Sequence, residues 1–340
     1  MRFGLGPLTV EATAAGKKQV DAFEESMEQA VSAEWWGLDS VWADEHHFTP
    51  DGFNSSSSVL GAALAQRTEF VRVGVMPVIG LVNALYIAEE MATIDNLGGG
   101  RTIVAAKVAT DEEARGWQGQ NTLERVLDDI EVLRKSWAPN PFSHHSEFHD
   151  IPMGNPIHAE AVGLDKISVQ PKPAQLEMPL WLSGGNVAAD AARQSNVPYL
   201  APAHLSLSEL HRLYEGTGRA GSVVPLAREV FIARTTEQAH ELAEASILAL
   251  YQGLARAGIV ESASSFEELA RDRFIIGDPD QVITELYRYQ NELEVDYVVA
   301  RLSYHGMHHG DTAKAIQLFG QAVVPEFRMY GLPAEIRRLA

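Results

Sequence analysis

The chain has no cysteine and no apolar run long enough to cross a bilayer. Without cysteine, disulfides and thiolate metal sites are excluded. The opening residues also lack the charged start, long apolar core and small-residue cleavage site of a signal peptide. A cytoplasmic protein without a membrane partner is therefore expected.

Positive charge is scarce, with 27 Lys and Arg against 46 Asp and Glu and a net charge of −19. An acidic surface repels phosphate backbones, which argues against a nucleic-acid partner. The acidic residues form no long run, so they favour solubility over a specific partner. The 340 residues are 46% hydrophobic, as in globular proteins. Since α/β barrels reach this length as one domain, residues 1–340 are expected to form a single domain.

Short apolar segments alternate with segments of helical spacing along most of the chain. The predicted strands are residues 2–6, 40–44, 71–79, 101–108, 179–185, 198–202, 228–234 and 296–303. The first helix is indicated by apolar residues spaced three or four apart, namely Val20, Phe23, Met27, Ala30 and Val31. Further helices are expected at 85–97, 123–137, 187–194 and 312–327, and more than one within 236–270. Eight such units predict a (β/α)8 TIM barrel, and neither G-x-G-x-x-G after the first strand nor a P-loop supports a doubly wound sheet.

Residues 138–178 break this alternation after the fourth unit. They are rich in His, Pro and Gly and contain no long helical period. We interpret them as an insertion within the barrel that holds a short hairpin or two. Its histidines, His144, His145 and His149, are expected to be solvated.

Active sites of such barrels lie on the loops after the strands. The stretch "ADEHHF" places Glu45, His46 and His47 at the end of the second strand. Adjacent side chains of a strand point to opposite faces, so the two histidines cannot share one metal ion. A metal site recruiting residues 305–309 has no H-E-x-x-H spacing to support it. A general base and an ordinary polar strand end both remain open from the residues alone.

The stretch "SGGN" (Ser183 to Asn186) follows the fifth predicted strand, where a helix begins. Two glycines allow close approach of a ligand, and the first amides of a helix suit a phosphate. A tight turn without a ligand explains the same residues equally well.

Three parts of the sequence together resemble the bacterial luciferase-like flavin monooxygenase family. They are "GLDSVWADEHHFTPDGF", "NALYIAEEMATIDNLGGGR", and "QPKPAQLEMPLWLSGG" with the later "GDPDQVITELYRYQNELEVDYVVARLS". The match spans nearly the whole chain in the right order, and the "EHHF" tetrad is characteristic of the family's catalytic loop.

The resemblance implies a barrel that binds reduced FMN at its mouth. Oxygen then adds to the flavin to give a peroxide, which oxygenates a small organic substrate. A separate flavin reductase supplies the flavin as a transient partner, and homodimers are common. The resemblance makes His46 the acid–base candidate, with Glu45 and His47 orienting it or lining the wall. The implied flavin contacts are Ser183, Gly184, Gly185 and Asn186 at the phosphate and Pro77, Val78 and Ile79 at the isoalloxazine.

Two departures from the family pattern stand out. Asn83 and Ala84 occupy the place of a common His-Pro pair, and the fourth strand ends in "AAKVAT". Lys107 in that strand end either supplies a positive charge near the flavin or is a surface lysine. A deazaflavin-dependent oxidoreductase and a non-catalytic flavin-binding barrel are the alternative functions. The apolar residues of the helix at 85–97 are compatible with a dimer interface or with packing on the barrel; they are Leu85, Ile87, Ala88, Met91, Ile94 and Leu97.

Overall fold

The computed structural model describes residues 1–8, 18–48, 54–153, 165–214, 223–256, 260, 265–270, 272–304 and 306–329. His305 of the considered metal run, residues 154–164 of the predicted insertion and parts of the segment 236–270 lie outside the described residues. The strands are β1 (Arg2–Leu5), β2 (Ser40–Ala43), β3 (Arg72–Val75), β4 (Val78–Ile79), β5 (Thr102–Val108), β6 (His144–His145), β7 (Asp150–Ile151), β8 (Leu180–Ser183), β9 (Tyr199–Leu200), β10 (Pro225–Ile232), β11 (Phe274–Gly277) and β12 (Tyr297–Arg301).

Eight parallel strands close into a barrel. Their order is β10, β12, β1, β2, β3, β5, β8 and β9. A parallel bridge between Ala201, just after β9, and Leu226 of β10 joins the two ends of this path. β11 pairs in parallel with residues 229–232 at the end of β10. β6 pairs with β7 in a separate antiparallel hairpin. The predicted TIM barrel is confirmed.

Helices follow the strands and cover the barrel. They are α1 (Gln19–Trp35), α2 (Ser57–Arg67), α3 (Ala84–Leu97), α4 (Asp111–Trp117), α5 (Leu123–Trp137), α6 (Asn186–Ser195), α7 (Leu207–Tyr214), α8 (Thr236–Arg256), α9 (Phe266–Ala270), α10 (Pro279–Leu293), α11 (His309–Leu318) and α12 (Val324–Met329). A π-helical turn, Phe319–Val323, joins the last two. None of the helices described here is long and apolar enough to span a membrane.

The predicted third strand, 71–79, is two strands in the structure. β3 pairs with β2 and with the first residues of β5, whereas β4 pairs only with Lys107 and Val108 at the end of β5. Pro77 stands between them and has no amide hydrogen for a ladder, which interrupts regular pairing at that point. The amide of Lys107 instead donates to the Pro77 carbonyl at 2.9 Å.

The first helix is confirmed, but several of its large apolar residues do not face the barrel. Val20, Phe23 and Val31 are exposed. The buried side consists of small or polar residues, Ala22, Ser26, Gln29, Ala30 and Ala33. Small side chains allow the helix axis to lie close to the strands.

The apolar residues of α3 divide between the core and the surface. Ile87, Ala88, Met91 and Ile94 are buried within the chain, whereas Leu97 is 47% exposed. The buried four therefore pack on the barrel and cannot form a surface for a second subunit.

Three aromatic rings fill the barrel interior below its mouth. The rings of Trp42 and Trp181 lie 5.1 Å apart, and Tyr297 meets both edge-on. The Trp42 indole donates to Ser40 at 2.7 Å, and the Tyr297 hydroxyl donates to the same oxygen. These three rings form the floor of the barrel mouth. A side chain on Gly74 would collide with the floor, because its Cβ would lie 2.1 Å from the Trp42 ring.

Gly74→Ala is expected to destabilise the protein by about 1–3 kcal/mol, because the Trp42 ring must shift in a packed interior. Gly253→Ala in α8 is the matched control, since its Cβ would meet only the tip of Arg256 at 3.9 Å. That control should leave the stability unchanged or raise it by up to about 1 kcal/mol. Urea unfolding followed by circular dichroism measures both, and equal stabilities for the two variants would contradict the packing described for the floor.

Candidate active site at the barrel mouth

The segment after β2 carries two carboxylate–histidine pairs. The His46 Nε2 atom lies 2.8 Å from Asp44 Oδ2, and the His47 Nε2 atom lies 3.0 Å from Glu45 Oε1. Each pair spans two positions, the spacing at which side chains of an extended segment share a face. The two histidines thus have different partners, as strand alternation predicts.

Lys107 joins the first pair from the end of β5. Its Nζ atom lies 3.3 Å from Asp44 Oδ1 and 3.0 Å from His46 Nδ1, and it also donates to the Glu45 carbonyl. The Lys107 side chain is only 11% exposed. It shares its strand face with Ala105, which packs in the barrel-interior cluster. The interpretation of Lys107 as a surface lysine is therefore wrong.

The Asp44 carboxylate is held in its charged form. Burial alone would raise the pKa of Asp44, but the Lys107 ammonium and the hydrogen-bonded His46 ring lower it well below its usual range. The Glu45 amide, which donates to Oδ1 at 2.7 Å, acts in the same direction. A fixed negative charge thus lies directly behind His46, whose side chain is 31% exposed at the mouth.

The second pair is anchored to two helix starts. Glu45 Oε2 accepts from the Ser57 amide at 3.0 Å and from its hydroxyl at 2.7 Å, at the beginning of α2. Glu113 accepts from the His47 amide at 3.1 Å and closes a capping box with Thr110 on α4. Although burial raises the pKa of Glu113, Lys107 and these hydrogen bonds lower it overall. The His47 side chain is 11% exposed and is thus less accessible than that of His46.

The "SGGN" stretch forms the turn into α6 next to this cluster. Ser183 pairs with Lys107 in neighbouring strands, and Gly185 is the residue that caps the helix. Gly184 has φ +135°, which favours glycine, and its carbonyl accepts from the Tyr199 hydroxyl at 2.6 Å. Space beside Gly185 is open, since a Cβ there would meet nothing within 4 Å. The first amides of a helix have no intrahelical partner, so this turn suits an anionic group.

Pro77, Val78 and Ile79 are all buried. Val78 packs with Ala109 and Ala114, and Ile79 belongs to the main core. Their predicted contact with a flavin ring stays a prediction. Among the residues with described coordinates, no group of three or more His, Asp or Glu side chains could hold a metal ion.

Two of the hairpin histidines are not solvated, contrary to expectation. His144 and His149 are buried, and their Nε2 atoms lie 2.8 Å from Asp128 and 2.6 Å from Asp129, respectively. Both carboxylates belong to α5, so the pairs attach the hairpin to that helix. His145 is 59% exposed, as predicted.

Two residues of the candidate site, Asp44 and Glu113, were not predicted from the sequence. Asp44 stands two positions before His46, and this spacing alone could have indicated the pair. Glu113 closes the T-x-x-E pattern that begins at Thr110, which is a signature of a helix start. The 63-residue separation of Lys107 from Asp44 gave no local signal.

A closed parallel barrel with charged side chains gathered where its strands end defines an α/β-barrel protein with a candidate active site at the mouth. The chain belongs to the luciferase-like monooxygenase family, whose model matches residues 1–293. Relatives of this chain with a described activity include F420-dependent dehydrogenases and a flavin-dependent monooxygenase.

Both kinds of cofactor occur among the relatives. The chain is 25% identical over 337 residues to an F420-dependent glucose-6-phosphate dehydrogenase from Amycolatopsis mediterranei, covering 90% of this chain and 95% of that protein. It is similar in fold to a monooxygenase from Streptomyces bottropensis, with a TM-score of 0.81, 18% identity and coverage of 96% and 100%. The oxygenating constituent of 3,6-diketocamphane monooxygenase from Pseudomonas putida, in complex with FMN, gives a TM-score of 0.75, 18% identity and coverage of 96% and 98%.

Asp44→Asn is expected to destabilise the protein by about 3 kcal/mol at neutral pH, because it leaves the buried Lys107 charge without its counter-ion. Adding Lys107→Met should recover part of that loss. Urea unfolding of the two single variants and the double variant measures the coupling between the residues, and simple additivity would contradict a functional ion pair.

The same pair gives a pH dependence. Because the pKa of Asp44 is lowered in the folded protein, its contribution is fully present above about pH 4, the ordinary range of an aspartate, and is lost as the pH falls further. The stability difference between wild type and Asp44→Asn should therefore shrink in acid. A difference that stays constant down to the onset of acid unfolding would contradict this assignment.

Proposed function

We propose that the protein is the oxygenase component of a two-component FMN-dependent monooxygenase, which uses reduced FMN and O2 to oxygenate a small organic substrate. The observation that carries the proposal is His46, held at the mouth between Asp44 and Lys107. When bound, reduced flavin supplies the activation of dioxygen. The protein's own residues bind and orient the cofactor and manage protons beside it.

The turn at α6 is the proposed phosphate site. The residues there fit the group, because the space beside Gly185 is open and the helix start provides amides and a favourable dipole. Ser183 and Asn186 flank this turn. The neighbouring Lys107 places a positive charge on the same side of the mouth.

In the proposed arrangement, His46 faces the reacting groups and accepts or donates a proton there. Asp44 orients its ring from behind, as a carboxylate hydrogen-bonded to an imidazole does in other acid–base sites. His47 and Glu45 form the adjoining wall and keep the loop attached to α2. Pro77, directly before β4, and Val78 and Ile79 of β4 are proposed to flank the flavin ring.

A deazaflavin-dependent oxidoreductase is the second candidate, because a relative that matches 90% of this chain is an F420-dependent dehydrogenase. A non-catalytic flavin-binding barrel is less consistent with a carboxylate, histidine and lysine converging at the mouth.

A separate flavin reductase is the proposed partner, supported by the description of one structural neighbour as an oxygenating constituent. A homodimer is proposed through the outer faces of α2 and α3. Val59 and Tyr86 on these faces are 71% and 58% exposed, so apolar surface remains there after the core is formed.

His46→Ala is expected to lower the rate of oxygenation by about 10²-fold or more, because it removes the acid–base group. His145→Ala, on the exposed side of the hairpin, is the control and should keep full activity. Reduced FMN mixed with oxygen in a stopped-flow spectrometer is the assay. Reoxidation of FMN at the rate of the free cofactor in the presence of wild-type protein would contradict the proposal, and protection of only a reduced deazaflavin would favour the second candidate.

Gly185→Asp tests the phosphate site without disturbing the fold. Aspartate is a preferred residue at a helix cap, and the space beside Gly185 is open. Its charge should repel the phosphate and weaken reduced FMN binding by about tenfold or more. Riboflavin has no phosphate, so its affinity, measured in parallel, should be unchanged. An equal loss for both ligands, or no loss for FMN, would place the phosphate elsewhere.

A further inference from the structure

Two large aromatic residues at the barrel mouth are about half exposed, and both lie next to His47. Phe48 follows His47 in the segment after β2, and Trp117 is the last residue of α4, the helix that follows β5. Phe48 is 53% exposed and Trp117 is 47% exposed. The centre of the His47 ring lies 6.0 Å from that of Phe48 and 5.3 Å from that of Trp117. We call these three rings the aromatic wall.

The backbone of Phe48 has an unfavourable conformation. Its φ of +62° lies in the left-handed region, which bulky side chains rarely adopt. Such conformations persist only where the surroundings hold them, and they concentrate at functional sites. Here the His47 amide donates to Glu113 of α4, which fixes the chain directly before Phe48. A bulky ring that is held in this way and still half exposed is better explained by what it presents at the mouth than by packing.

The Phe48 ring packs on the backbone of α4 at Gly116. A Cβ built on Gly116 would lie 2.2 Å from Cε2 and 2.6 Å from Cζ of that ring. Glycine within a helix is less stable than alanine. The residue at position 116 therefore favours the place of the ring over the stability of α4.

We propose that Phe48 and Trp117 determine the substrate specificity of the protein, and that the aromatic wall binds a planar aromatic ring of the organic substrate. This assignment rests on the function proposed above. Aromatic rings pack face to edge or offset-stacked on one another, which an exposed aromatic wall allows. A ring bound there lies beside His47 and is thus brought to the residue adjacent to His46.

Exposure favours the substrate over the flavin as the occupant of the aromatic wall. The proposed flavin contacts at residues 77–79 are buried, and the proposed phosphate site lies at α6, after β8. The two exposed rings of the wall instead belong to the segment after β2 and to α4. A substrate that enters from solvent after the flavin has bound meets these exposed rings first.

The aromatic wall can be tested in the full-length protein without cofactor. The probes are 2-naphthol and its saturated counterpart decahydro-2-naphthol, titrated by isothermal calorimetry. We expect wild type to bind 2-naphthol more tightly, and Phe48→Leu and Trp117→Leu each to weaken that binding by about 2- to 10-fold, because leucine keeps apolar volume but has no ring face. Trp35→Leu is the control, at a residue 79% exposed at the end of α1 that precedes β2, and should match wild type. No binding of 2-naphthol, equal binding of both probes, or unchanged binding in both mouth variants overturns the proposal.

Gly116→Ala moves the Phe48 ring without removing any aromatic group. It should weaken 2-naphthol binding as Phe48→Leu does, while Gly253→Ala in α8 should match wild type. Unchanged binding in Gly116→Ala overturns the role given to the Phe48 ring.

A titration of 2-naphthol in the presence of riboflavin identifies the occupant. Binding at the affinity seen without riboflavin supports a substrate site, whereas competition assigns the aromatic wall to the flavin and overturns the proposal. Since the calorimetric comparison of the variants contains no cofactor, the aromatic wall can be confirmed even if reduced FMN fails to bind, which would refute the proposed function alone.

Discussion

The buried contact of Lys107 with Asp44 is the interaction on which the barrel mouth depends. It connects β5 to the end of β2 across the intervening β3 and leaves both side chains almost inaccessible to water. Burying two charges costs several kcal/mol per ion, and such pairs are often no more stabilising than apolar residues of similar size. The pair is therefore better explained by what it positions, namely His46, than by what it adds to stability.

Packing in the barrel interior and hydrogen bonds from neighbouring helices keep this pair in place. Trp42, Trp181 and Tyr297 fill the interior beneath the charged residues. The first turns of α2, which follows this loop, and of α4, which follows β5, bind the loop through Ser57 and Glu113. The site is thus built on rigid elements, which suits a role that needs fixed geometry.

The barrel could be predicted from the sequence because its strands are short apolar segments separated by helical spacing. Helix α2 was not predicted, because the buried side of "SSVLGAALAQR" consists largely of serine, glycine and alanine, and the inward face of α1 was misjudged because alanine and not valine packs there. The separation of the two histidines followed from strand alternation alone. The contact of Lys107 with Asp44 and His46 could not be predicted in this way, because it arises only when distant strands pair in the barrel.

The proposed cofactor site lies between the α6 turn and His46. A crystal structure of the protein with reduced FMN, grown without oxygen, tests this most directly. We predict the phosphate on the first amides of α6 and the flavin ring within hydrogen-bond reach of His46. A phosphate bound elsewhere, or a ring on the far side of the mouth from His46, would contradict it.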